Sequence, residues 1–137
     1  MRLLKKHKKV KGFSLTELLV VLVIIGILTL LALPVFMPMI SKAKSTEAQV
    51  QLKHLFTLQQ SYFYMYSKYS NELDEIGYEQ AKLVDAGGNA NYKIEIINAS
   101  EKGFTASATA IVDFDKDGVF NVWQINENQE LKEITKD

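Results

Sequence analysis

From Leu18 to Leu33 the chain reads LLVVLVIIGILTLLAL, in which Thr29 is the one residue neither apolar nor glycine. As a helix rising ~1.5 Å per residue, this run of sixteen extends about 24 Å. Counting from Leu15 brings it close to the ~30 Å hydrocarbon core of a bilayer. A run of this kind restricts the fold more than any other part of the sequence. It must be covered by lipid or by other apolar helices, because 137 residues supply one modest domain and not a large interior. Glu17 stands at its front edge. An acid at the centre of a spanning helix costs about 2.5–3.5 kcal/mol, so a carboxylate here calls for a partner.

The charge distribution gives the run a direction. Residues 1–12 hold Arg2, Lys5, Lys6, Lys8, Lys9 and Lys11 with no acid, a charge of +6, whereas the remainder holds ten basic residues against all sixteen acids, a charge of −6. A basic segment before an apolar span stays on the cytoplasmic side and sends the rest outward. The acidic body argues against nucleic acid as the main ligand, since phosphates need a cationic surface. With no cysteine there is no disulfide, thiolate metal site or cysteine nucleophile. A plain secretory signal peptide fits poorly: no small-x-small cleavage site follows the run, and an acid lies at its edge.

Beyond the run, PVFMPMISKAKSTEAQVQLKHLFTLQQSYFYMYSKY brings Pro34 and Pro38, each of which removes a helix N–H and predicts a kink. Gly26 weakens the helix further upstream. Past Pro38, Leu52, Leu55, Phe56, Tyr62, Phe63 and Tyr66 fall on one stripe of helical period. NELDEIGYEQAKLVDAGGNAN has the composition of a connector, with Gly87–Gly88 as a breaker. Three alternating segments follow. Tyr92, Ile94 and Ile96 form one face of the first, and Phe104, Ala106, Ala108, Ala110 and Val112 one face of the second. Val119, Asn121, Trp123 and Ile125 form one face of the third, with Phe120 and Val122 opposite. NENQELKEITKD is a fourth strand or an exposed tail. The expected fold is α+β: a long, Pro-kinked, membrane-spanning N-terminal helix whose C-terminal half packs on a small antiparallel sheet of three to four strands. The row of alanines lets the helix come close.

The basic leader ending in Gly12, then Phe13, Glu17 and the long apolar helix, together resemble the N-terminus of type IV pilins and pilin-like proteins (pseudopilins). The order of helix, connector and antiparallel sheet extends the resemblance more loosely over the whole chain. The resemblance implies that a membrane prepilin peptidase cuts between Gly12 and Phe13 and that Phe13 becomes N-methylated. It divides the chain into a removed leader (1–12), a transmembrane or filament-core helix (13–40) and an extracytoplasmic globular domain (41–137). The expected partners are membrane lipid before assembly, an inner-membrane assembly platform, and further copies of the same chain in a helical filament. Cleavage would leave a cationic amine at Phe13, able to neutralise Glu17 of the next subunit. A buried charge persists only when paired, and breaking such a pair costs about 3–5 kcal/mol. In filaments of this family the stretch from Gly26 to Pro34 is extended, which implies the same here. The chain departs from the best-known pilins in lacking a C-terminal disulfide loop.

One motif stands apart. DFDKDG places Asp113, Asp115 and Asp117 at alternating positions before Gly118, as in the first half of a calcium loop, with Asn121 and a backbone carbonyl near Val119 as further oxygens. The twelfth position is Gln124 rather than a glutamate, and the flanks read as strands, so an EF-hand is not expected. The alternative is a β-hairpin closed by Asp117–Gly118 with solvated acids beside it. No cofactor is required, and calcium is the one candidate ligand. His7 lies in the leader and His54 stands alone, and no nucleophile–base pair or phosphate loop appears, so no enzymatic activity is expected. The leading function is a structural pilus subunit, a major pilin whose filament serves adhesion, motility or uptake. Its rivals are a pseudopilin of a secretion or DNA-uptake system, a membrane-anchored calcium-dependent binding domain, and a single-pass sensor. Almost nothing but the basic leader would remain in the cytoplasm, which weakens the sensor.

Overall fold

The computed structural model describes residues 10–137. Residues 1–9, which carry Arg2, His7 and four of the leader lysines, lie outside the described residues. One helix, α1 (Leu15–Tyr66), contains both prolines without interruption. The chain divides into two compact units that meet between Val35 and Phe36.

In the first unit α1 is exposed almost all round, and the apolar window long enough to span a membrane has none of its residues buried. Leucine and β-branched residues suit such a helix in lipid, where the backbone must satisfy all its polar groups internally. Thr29 follows the same rule, its hydroxyl donating to the Ile25 carbonyl at 2.7 Å.

The second unit buries one face of α1 on a four-stranded antiparallel sheet of order β1-β2-β3-β4, formed by β1 (Tyr92–Ala99), β2 (Phe104–Ala110), β3 (Val122–Asn126) and β4 (Leu131–Thr135). Ala48, Leu52, Leu55, Phe56 and Tyr62 of α1 share a core with Tyr92, Ile94, Phe104, Ile125 and the alanines of β2. Ala106 and Ala108 are fully buried in this core. The register aligns Ile94, Ala108 and Trp123 across the sheet, so the alternation in three strands points to one side. Each buried leucine contributes about 1.5–3 kcal/mol.

Several expectations need correction. The helix stripe ends at Tyr62, with Phe63 half-buried and Tyr66 exposed but packed on the Tyr62 ring at 4.5 Å. It includes Gln59 instead, a fully buried amide that donates to the Ser70 carbonyl and accepts from the Ser70 N–H, at 2.7 and 3.0 Å. A buried polar group is tolerated when both its ends are satisfied, and here it anchors the chain after α1. The third strand starts at Val122, leaving Val119 and Phe120 exposed in the preceding loop. Residues 111–121 form that loop, so no tight hairpin closes at Asp117–Gly118. NENQELKEITKD does supply a fourth strand. The connector adds Ile76 and Tyr78 to the core and caps the free edge of β1. There the Gln80 side chain donates to the Tyr92 carbonyl and accepts from the Ile94 N–H, at 3.1 and 2.8 Å, as a neighbouring strand would.

Candidate assembly and ligand sites

The N-terminal candidates are built on the start of α1. Gly12 and Phe13 lie in non-helical, exposed backbone just ahead of the helix. A Cβ on Gly12 would meet nothing within 4 Å, so the fold itself does not require glycine there. The Ser14 carbonyl accepts the first helical bond from Leu18 at 3.2 Å, which makes Ser14 the N-cap. Glu17 is three residues further on, and the pair forms a capping box. The Ser14 N–H donates to Glu17 Oε2 at 2.7 Å, and the Glu17 N–H donates to Ser14 Oγ at 3.3 Å. Sequence reasoning placed Glu17 but missed this local partner, although the S-x-x-E spacing that signals it is plain in SLTE. Gly26 has open space around it and sits inside α1, as do Pro34 and Pro38.

The acidic loop belongs to the second unit. Two of its residues, Lys116 and Gly118, take positive φ values of 65° and 88°, which fold the loop back on itself. Asp113 accepts from the N–H groups of Lys116 and Gly118 at 2.6 and 2.7 Å. Asp115 accepts from Asp117 at 3.1 Å, and Asp117 from Val119 at 2.7 Å. A fourth acid joins them that the spacing did not reveal. Asp137, nine-tenths buried, accepts from the N–H groups of Phe114 and Asp115 at 3.0 and 3.3 Å. Its carbonyl accepts from the Ser41 hydroxyl at 2.6 Å, tying this corner to α1.

One carboxylate oxygen from each of Asp113, Asp115, Asp117 and Asp137 falls within 4.8 Å of the others. Neither ion pair among the described residues, Lys93–Glu95 and Lys132–Glu130, reaches this group. Burial pushes the Asp115 carboxyl above its ordinary value, and the charges of Asp117 and Asp137 add to the rise against the lowering effect of the Asp117 N–H. Asn121 does not turn toward the acids. Fully buried, it accepts from the Tyr92 hydroxyl at 2.8 Å and donates to Glu133 Oε1 and the Thr135 carbonyl at 2.7 and 3.0 Å. Its place beside the loop in sequence is explained by tying β1 to β4. Gln124 stands in β3 between Ser107 and Lys132, which rules out an EF-hand arrangement. His54 packs its ring 5.9 Å from that of Tyr78.

Comparison with known proteins agrees with this architecture. Residues 7–33 match the family model described as the prokaryotic N-terminal methylation motif. Residues 34–118 match the model described as type IV minor pilin ComP, DNA uptake sequence receptor. The chain is 31% identical over 122 residues to the type IV major pilin protein PilA of Myxococcus xanthus (strain DK1622), an alignment covering 84% of this chain and 54% of that protein. The chain thus spans about half the length of the curated relative it matches. The two family matches meet at Pro34 and together take in the capping box, the apolar helix and the larger part of the sheet. The chain belongs to the type IV pilin family, whose members are structural proteins made as inner-membrane precursors and not enzymes.

Proposed function

We propose that this chain is a major subunit of a type IV pilus. The apolar half of α1 holds the precursor in the inner membrane, a prepilin peptidase cuts between Gly12 and Phe13, and Phe13 is N-methylated. An assembly platform then moves the subunit into a helical filament of identical copies that serves adhesion, motility or uptake. The observation that carries this reading is the contrast along one helix. Up to Val35 α1 is left exposed by the described residues, whereas from Ser41 onward one face is buried on the sheet. Lipid covers such a surface before assembly and neighbouring α1 helices cover it afterwards. Electron microscopy of sheared surface material, with N-terminal sequencing of the filament protein, tests it. Filaments whose subunits start at methylated Phe13 are expected, and filaments retaining residues 1–12 would overturn the processing step.

A second reading is a minor pilin of a DNA-uptake machine, and the match to the ComP description favours it. Charge opposes it, because removal of residues 1–12 leaves side chains that sum to −6. Non-specific DNA binding needs several lysine or arginine contacts to phosphate and weakens steeply with salt. A gel-shift assay with the processed protein at low salt separates the two readings: retarded DNA supports the uptake receptor, and free DNA supports the structural subunit. We further propose that the four-carboxylate loop holds calcium as a structural ion, because so many acidic oxygens converge there without a basic partner among the described residues.

A further inference from the structure

The proposed filament needs Glu17 to meet the Phe13 amine of a neighbour, and a free glutamate side chain is poorly suited to that. It has three rotatable bonds, and holding it in one geometry costs up to ~2 kcal/mol of rotamer entropy. The capping box removes this freedom before the neighbour arrives. It engages Oε2 with the Ser14 N–H and fixes the backbone of the first turn through the Ser14 hydroxyl. Among the described residues Oε1 has no hydrogen-bond donor, so one face of the carboxylate is both held and available. Cleavage between Gly12 and Phe13 spares every atom of the box, because the Ser14 N–H belongs to the peptide bond after Phe13.

We infer that Ser14 is a positioning residue for assembly: it holds Glu17 in the rotamer that presents Oε1 to the incoming subunit, in precursor and processed chain alike. This rests on the filament proposed above and on the Glu17–Phe13 pairing that the resemblance implies for it, and adds a second residue and a pre-organised geometry. Two alternatives for the same box predict different results. As a helix cap alone, Ser14 could be replaced by any good N-cap residue. As a bystander, it could be replaced by alanine.

The test uses the full chain in cells with a working assembly machinery, measuring processed subunit in the membrane and filament outside it separately. Ser14→Ala should be inserted and cut normally, while filament yield falls about fivefold, the equilibrium equivalent of the ~1 kcal/mol that an N-cap hydroxyl contributes. Ser14→Thr, which keeps the hydroxyl, should restore the yield. Ser14→Asp keeps a strong N-cap but sets a second carboxylate against Glu17, and its yield should be no better than that of Ser14→Ala. Normal filaments from Ser14→Ala, beside failed assembly of Glu17→Ala, overturn the role of Ser14 and leave the pairing intact. Normal filaments from Ser14→Asp reduce Ser14 to a cap and overturn the inference. Normal assembly of Glu17→Ala overturns the pairing and this inference together. Amide exchange in the detergent-held subunit gives a readout independent of assembly. The Glu17 N–H should be protected relative to that of Thr16 and lose its protection in Ser14→Ala, and equal exchange in the unaltered chain would also overturn the inference.

Discussion

At the scale of single residues, polar groups in this chain persist where specific donors and acceptors meet them. Glu17→Ala should insert and be processed like the parent, since losing a carboxylate makes the span more apolar. It should assemble poorly, and a normal filament yield measured from a strain carrying only this variant contradicts the pairing. Bulky replacements of Gly12 should leave uncut precursor in the membrane, visible by mass on denaturing gels, although the fold has room for them. Glu75 offers a test by pH. The hydroxyls of Ser70 and then Tyr62 hold its carboxyl below the ordinary glutamate value. A depressed folded value means that the contribution is fully present above the unfolded value and is lost as pH falls through the folded one. Acid denaturation of Ser70→Ala should therefore be shallower in that window than for the parent, and parallel curves would refute the assignment. Tyr92→Phe leaves the buried Oδ1 of Asn121 without its donor, and should cost about 1–3 kcal/mol in denaturant unfolding.

At the scale of elements, α1 carries two kinds of patterning on one backbone. Leu52→Ala in the buried stretch should cost about 2–5 kcal/mol by the same measurement, because Leu52 is fully buried in the core shared by helix and sheet and its loss leaves a cavity there. Pro34 and Pro38 lie inside the helix of the single subunit, where each leaves a carbonyl one turn earlier without its usual donor. Neighbours in a filament can compensate for lost helical bonds, so a filament map should show extended backbone between Gly26 and Pro34. Unbroken helix across that stretch would count against it. The elements were legible in the sequence where periodicity was strong: the apolar run, the stripe from Leu52 to Tyr62, and the alternation of β1 and β2. They were less legible where side chains replace backbone partners. Gln59 looks polar in a helix and is core, Gln80 looks like connector and serves as a strand edge, and Asn121 looks like a ligand and ties two strands. In each case an amide supplies both a donor and an acceptor, and composition does not reveal where they point. Asp137 joined the acid group only through the course of β4, which no local spacing encodes.

At the scale of the whole molecule, an apolar unit and an acidic unit share one chain, and calcium should act on the second alone. The acidic loop lies between β2 and β3, Asp137 follows β4, and Ser41 belongs to α1, so an ion at this corner would tie helix, loop and last strand together. Burial is the main cause of the raised Asp115 value, and without a cation the charges of Asp117 and Asp137 add to it. Without a bidentate glutamate the affinity should resemble the ~10⁻⁴–10⁻³ M of extracellular modules, and saturation at a hundred times the dissociation constant adds about 2.7 kcal/mol. The measurement is thermal melting of the detergent-solubilised processed protein, in calcium well above that range and then in chelator. Calcium should raise the melting temperature and chelator should reverse the rise. Asp115→Asn removes one of the repelling charges, so its chelated form should melt above the chelated parent while its response to calcium shrinks. Tyr92→Phe lowers stability at a different corner and should keep the full calcium shift, which separates loss of the site from loss of the fold. Equal melting temperatures of the parent in calcium and in chelator would leave the loop as a backbone-capped turn, its carboxylates serving only as acceptors for the N–H groups of residues 114–119.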